Sequence, residues 1–260
     1  MSVLSGKRGV ILGVGNQRSI AWAVAEHLHK AGADLALTYL IDPKGRFESN
    51  VKNLGERVNA SLIQDCDVSD DKSIKSLINS LNDHWGELDF LIHSLAFAEQ
   101  NDLQMDFSST SRNGFAKAHE ISAFSLLPLV EGIAPMMKKR GGGSIISMSF
   151  IGSNLAVPHY HVMGPAKASL EASSRYLARE LGPENIRVNV ISSGAIKTLS
   201  SAGIKDFAEL MRIGAEHSAM KRTVTQDEVA QTTLFLASDA SSGITGQVIY
   251  VDCGYSIMAN

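Results

Sequence analysis

This sequence has little that could act as a staple, a membrane span or a charged footprint. Its 260 residues include only two cysteines, Cys66 and Cys253, far apart and in no CxxC pair. That scarcity excludes a disulfide scaffold and leaves two thiols expected to be buried in a reducing compartment. No sign of charge dominates: 24 Lys and Arg against 27 Asp and Glu give a formal net charge of −3. Without a basic excess to meet a phosphate backbone, nucleic acid is not an expected partner. Proline is scarce, at six residues, and no Pro/Gly/Ser linker, repeat or low-complexity tract divides the chain. Apolar runs fall short of a bilayer span and are interrupted by charges. Met1 to Arg8 lacks the apolar core of a signal peptide and runs straight into a strand-like stretch. The expectation is a cytoplasmic, soluble protein with no membrane partner. Among the eight histidines, His27/His29 and His159/His161 stand close in sequence, but neither pair joins carboxylates or cysteines in a ligand set, so no metal is expected.

What is present is an alternation of short β-branched runs with helical periodicity. Strands are expected at Gly9–Leu12, Leu35–Tyr39, Ser61–Gln64, Leu88–His93, Ser144–Met148, Arg187–Ile191 and Val248–Val251. Between them, stripes such as Ala21, Val24, Ala25 and Leu28, or Ile74, Leu77, Ile78 and Leu81, mark amphipathic helices. Strands that are apolar on both faces imply a parallel sheet covered on both sides. The expected fold class is therefore α/β: a doubly wound, parallel, seven-stranded, Rossmann-like sheet with helices on both faces. It forms a single dinucleotide-binding catalytic domain over residues 1–260. Gly32 is placed to end the first helix, and Asp70 to cap the one after the third strand. Residues 194–222 break the alternation with Gly194, Gly203 and Gly214 between amphipathic pieces, and are expected to form a small lid over the strand carboxyl ends.

Gly13-Val14-Gly15-Asn16-Gln17-Arg18-Ser19-Ile20 follows the first strand and opens into a helix. Glycines let backbone N–H groups approach a pyrophosphate, and a helix N-terminus offers unpaired donors and a positive dipole end. The second strand ends Thr38-Tyr39-Leu40-Ile41-Asp42, without an adjacent arginine to take a 2′-phosphate. Asp42 disfavours one, while Lys44 and Arg46 stand close enough to swing back. This favours NADH and leaves NADPH open. Tyr160 and Lys167, seven residues apart, are spaced as two helical turns and can share a cleft. A lysine charge near a phenol favours the phenolate and strengthens the hydroxyl as a donor.

Together these residues make the chain resemble the NADH-type enoyl-acyl-carrier-protein reductases of bacterial fatty-acid synthesis, a divergent branch of the short-chain dehydrogenases. The resemblance rests on Gly13 to Ala21, Cys66-Asp67-Val68, His93 to Ala98, Tyr160 with Lys167, Arg187-Val188-Asn189, Ile204 to Phe207 and Arg222 to Thr225. It implies hydride transfer to C3 of a trans-2-enoyl thioester carried on acyl carrier protein, with Tyr160 and Lys167 as catalytic residues. The cofactor would lie against Gly13, Gly15, Ser19, Ile20, Leu40, Asp67, Val68, Ser94, Leu95, Ala96, Lys167, Ala195, Ile196 and Thr198. The acyl substrate would meet Ala98, Phe150, Tyr160, Met163 and Phe207. A homotetramer is implied, and the helix carrying Ala168, Leu170, Ala172 and Leu177 is a candidate subunit contact. Phe150 stands where the family usually has a second tyrosine, and Ala208 and Glu209 stand where some members carry basic residues, leaving Lys205 and Arg212 for carrier docking.

Two other functions fit parts of the pattern. In a carbonyl-reducing short-chain dehydrogenase, Ser147, thirteen residues before Tyr160, would bind the carbonyl, but such enzymes place their lysine where this chain has Gly164. A non-catalytic NADH-binding module would not need Tyr160 and Lys167 together.

Overall fold

The computed structural model describes residues 2–198, 201 and 206–259. All seven expected strands form, as β1 (Arg8–Leu12), β2 (Asp34–Tyr39), β3 (Leu62–Asp65), β4 (Phe90–His93), β5 (Gly143–Phe150), β6 (Ile186–Ser193) and β7 (Val248–Val251). They make one parallel sheet in the order β3-β2-β1-β4-β5-β6-β7. The order reverses between β1 and β4, and at such a switch point a crevice opens outside the strand carboxyl ends.

Alternate residues of each strand feed two cores. Ile11, Phe90, Ile92, Ile146 and Ile191 face α1 (Ile20–Lys30), α2 (Arg46–Arg57) and α9 (Gln226–Ala237). Val10, Leu12, Leu91, Ile145 and Val188 face α3 (Asp71–His84), α6 (Leu126–Lys139) and α7 (Met163–Leu181). The short α4 (Gln100–Gln104) and α5 (Arg112–His119) lie between β4 and α6, and α8 (Phe207–His217) follows β6. The caps form as expected. Gly32 follows α1 at φ +91°, its N–H bonded to His29 O, and the Asp70 side chain accepts from Lys72 N–H at the start of α3. Thr225 and Glu228 close a reciprocal capping box on α9.

Several expectations need correcting. β5 and β6 run two residues further than the periodicity indicated, pairing Met148–Phe150 with Ile191–Ser193, so the sheet itself delivers residues to the crevice. Helix α7 starts at Met163 with Pro165 in its first turn, where its missing N–H breaks no helical bond. Tyr160 therefore lies in the turn before the helix, not on it. Leu170 and Leu177 point into the sheet core, so the outward face of α7 is formed by Ala168, Ser169, Ala172, Ser173 and Tyr176. The run Arg112–Lys139 is continuous and apolar enough to match a membrane span by length and composition, contrary to the sequence expectation, yet more than half of its most apolar window is buried inside the protein. Cys66 is buried and Cys253 only half-buried; both are free thiols.

Packing at the centre of the sheet is tight. A Cβ added at Gly9 would lie 1.9 Å from the ring of Phe90, which is wholly buried on the neighbouring strand. Gly9→Ala is expected to cost about 1–3 kcal/mol by overpacking, read as a lower urea midpoint at unchanged m-value.

Candidate active site

The crevice at the switch point is a cleft of about 770 Å³. Its floor begins with the turn after β1. Gly13 has φ +99°, and a Cβ there would sit 2.0 Å from the carbonyl oxygen of Ser94. Only glycine lets this turn pass under the chain leaving β4. The turn closes with Ser19 N–H and Oγ both donating to Asn16 O, and α1 begins at Ile20 with its first N–H groups facing the cleft end. Beyond β2 the wall is Thr38, Tyr39, Leu40 and Phe47, and beyond β3 it is Cys66, Asp67 and Val68. Asp42, Lys44 and Arg46 do not line it. The Asp42 carboxylate instead accepts from Phe47 N–H at 2.8 Å and Lys44 N–H at 3.0 Å, and these bonds hold it below the usual carboxylate range. Neither sign of charge thus stands at the place where a 2′-phosphate would be read.

Lys167 projects from α7 and is 3% exposed. Its ammonium donates to Leu95 O at 2.9 Å and Met148 O at 2.8 Å. An ammonium has three N–H bonds, so one remains for a ligand in the cleft that Lys167 lines. Burial lowers its pKa to about 8, with Glu171 opposing the shift.

Tyr160 is buried, its ring packed over Gly152 and 4.8 Å from that of Phe150 at an interplanar angle of 59°. The residues on either side, His159 and His161, hold left-handed backbones at φ +59° and +32°, uncommon for non-glycine residues and often found at functional turns. This double left-handed turn aims the phenol inward. The Nδ1 atoms of both histidines are buried without a partner among the described residues, and His159 Nε2 lies 3.8 Å from Asp206 Oδ2. The phenol's state is set by burial and Glu171 rather than by the expected lysine charge. Burial, reinforced by Glu171, pushes the Tyr160 pKa well above its ordinary value. Tyr160 is therefore a neutral hydroxyl donor throughout the physiological pH range.

Every residue singled out for cofactor or substrate contact borders this one cleft. The nucleotide half holds Gly13, Gly15, Ser19, Ile20, Leu40, Asp67, Val68, Ser94, Leu95, Ala96, Ala195, Ile196 and Thr198, and the far half Ala98, Phe150, Tyr160, Met163 and Phe207. Leu103, Ala118, Val162 and Val157 join Tyr160, Met163, Ala98 and Phe150 in a separate apolar cluster. Sequence reading missed Phe47, Phe97, Gln100 and Leu103, which lie on loops or at helix ends where periodicity carries no signal. Ser147 does not reach the cleft; it is wholly buried beside His93 with its hydroxyl unpartnered. Gly164 cannot become a lysine in this backbone, because a Cβ there would meet Gly152 O at 2.7 Å. Both features remove the carbonyl-reductase alternative. In the lid region, α8 has no buried residue, and Arg212 is paired with Glu209 and Glu216 of its own helix. Gly203, Ile204 and Lys205 lie outside the described residues. A second cavity of about 370 Å³ opens at the amino ends of the strands, where Lys7 and Arg140 already pair with Asp89.

A doubly wound parallel sheet, a glycine turn at its switch point, and a tyrosine and a lysine facing one cleft define a dinucleotide-binding oxidoreductase of the short-chain dehydrogenase class. The chain belongs to the enoyl-(acyl carrier protein) reductase family, whose family model matches residues 13–256. It is 52% identical over 255 residues to the enoyl-(acyl-carrier-protein) reductase (NADH) of Nostoc sp., covering 98% of each chain. It is 44% identical to that of Bacillus subtilis, again covering 98% of each chain. Among solved structures it matches the reductase of Anaplasma phagocytophilum in complex with NAD, at TM-score 0.94 and 40% identity over 99% of this chain and 97% of that one.

Gly13→Ala is expected to abolish dinucleotide binding while leaving the fold intact, since the added methyl group drives apart the β1 turn and the Ser94 loop. Titration of NADH fluorescence together with circular dichroism checks this, with at least about a hundredfold loss of affinity expected for a clash that cannot be relieved.

Proposed function

We propose that this protein reduces the C2=C3 double bond of trans-2-enoyl thioesters carried on acyl carrier protein, with NADH as reductant, in fatty-acid elongation. One observation carries the reading: Tyr160 and Lys167 face one cleft, the phenol at its apolar end and the ammonium at the junction with the nucleotide half. The residues fit the cofactor. Gly13 leaves room for close backbone approach, and the spare N–H of Lys167 can donate to a ribose hydroxyl. NADH supplies the hydride when bound.

The chain's own residues do the rest. Addition at C3 moves negative charge onto the thioester oxygen, and the Tyr160 hydroxyl donates to that oxygen. Because burial keeps the phenol protonated, this donor is present over the whole working pH range. Lys167 fixes the ribose, and its two carbonyl partners restrict it to one orientation. Asp67 and Val68 bracket the adenine, Ser94 to Ala96 line the ribose and nicotinamide side, Ile196 meets the carboxamide and Thr198 the pyrophosphate. Ala98, Phe150, Met163 and Phe207 wall the acyl chain. Phe150 presents an aromatic edge with no hydroxyl, so orientation of the thioester depends on Tyr160 alone. Phe207, at the start of α8 in the expected lid region, borders the acyl end.

The same reading makes the enzyme a cytoplasmic homotetramer, consistent with its two free thiols and with the outward face of α7. There Tyr176 is 75% exposed beside small residues. Light scattering is expected to give a tetramer mass, and Tyr176→Arg to reduce it.

With a medium-chain trans-2-enoyl thioester and NADH, the wild-type protein is expected to yield the saturated thioester. Tyr160→Phe is expected to lower kcat by about 10²–10³-fold, the effect of removing one oxyanion donor. Lys167→Ala is expected to act chiefly on KM for NADH. Steady-state assays monitoring NADH absorbance, with NADPH run in parallel, check each. An inert enoyl thioester alongside rapid reduction of a 3-oxoacyl thioester would overturn the assignment.

A further inference from the structure

The interface between α7 and the strand ends holds a carboxylate that the chemistry above leaves unused. Glu171 is 5% exposed, one helical turn beyond Lys167, and its Oε1 accepts from Ser149 Oγ at 2.5 Å. A buried carboxylate with a single hydroxyl partner is costly unless a positive charge stands near it. Lys167, four residues earlier on the same helix and also buried, is that charge, since residues at this spacing share a helix face. The two form no direct ion pair; the ammonium donates to Leu95 O and Met148 O instead. They act on each other through the low-dielectric space between helix and sheet.

We propose that Glu171, oriented by Ser149, is a positioning residue: its negative charge holds Lys167 as a buried, charged ammonium against the cofactor cleft. The proposal rests on the placement of Lys167 in the nucleotide half given above. Among the described residues, no other group facing this space serves as the counter-charge. From β4 comes His93, whose Nε2–H donates to Ser125 Oγ because that hydroxyl itself donates to Ile121 O. Burial and the charge of Lys167 lower the His93 pKa to about 3, so the ring stays neutral. β5 and β6 present Ser147, Ser149 and Ser192 on this side, with no ionisable group. The turn before α7 contributes Tyr160, which is neutral, with His159 and His161, neither of which can supply a negative charge. Lys117, His119 and Glu120, from α5 and the turn after it, are at least partly solvent-exposed.

The sign follows from the charges. Burial lowers the Lys167 pKa and Glu171 opposes the shift. The ammonium is present below that pKa and lost above it. With Glu171 neutralised, burial acts unopposed, and the ammonium is lost at lower pH.

Glu171→Gln keeps the shape and the acceptor for Ser149 while removing the charge. NADH affinity, read by fluorescence between about pH 6 and 10, and kcat/KM over the same range are the measurements. The alkaline limb of both is expected to move to lower pH by about one pH unit, with near wild-type NADH affinity recovered at the acid end. A merely structural role would lower the melting temperature and weaken binding by one factor at every pH, leaving the limb in place, and that result overturns the proposal. So does a limb that persists unmoved in Lys167→Ala, for then Lys167 is not the titrating group. If Glu171→Gln does not fold, Ser149→Ala replaces it, with a smaller shift in the same direction expected and an unmoved limb again contrary. Binding is read without turnover. Wild-type protein that binds NADH but leaves enoyl thioesters unreduced would refute the assigned reaction, while the position of the binding limb would still decide the role of Glu171.

Discussion

The site depends on a buried ammonium tied to two backbone carbonyls. Lys167 crosses from α7 to the carboxyl ends of the central strands and bonds Met148 O on β5 and Leu95 O on the chain leaving β4. Those bonds hold together three segments distant in sequence at the point where the strand order reverses. Charged hydrogen bonds of this kind are the stronger sort, and in a desolvated seam their geometry is hard to exchange for another. The cleft therefore takes its shape from how α7 docks on the sheet, and α7 docks by burying Leu170, Leu177 and Leu181 against the strands.

Around that anchor, the protein sets tyrosine and lysine in opposite electrostatic conditions. The phenol is desolvated and feels a nearby carboxylate, so it keeps its proton. The ammonium is desolvated too, and the same carboxylate favours keeping its charge. One negative group thus biases both residues toward their protonated forms, which are the forms that donate hydrogen bonds. The left-handed backbone on either side of Tyr160 is a conformational cost borne at the site, offset by the packing of its ring on Gly152 and Phe150.

Residue periodicity sufficed for the architecture. Strands such as Gly9–Leu12 and Leu35–Tyr39 are apolar on both faces and bounded by polar or turn residues, a pattern that in a chain of this size fits a two-sided parallel sheet. Helix ends were legible at Gly32 and Asp70 for the same reason: the cap is a local requirement met by a local residue. The glycine turn bordering the cleft was legible too, since Gly13, Gly15 and Ser19 answer to the backbone of their own turn.

What the sequence alone determined is everything whose physical cause lies within a few residues: the strands, most helices, the glycine turn, and the presence of a tyrosine and a lysine suited to the chemistry. Only the tertiary structure decided how those groups are charged and what they touch. Burial lowers the lysine, raises the phenol and withdraws Ser147 from the cleft. Desolvation and long-range contacts are sums over atoms that neighbour one another only after the chain has folded, and no spacing along the sequence encodes them.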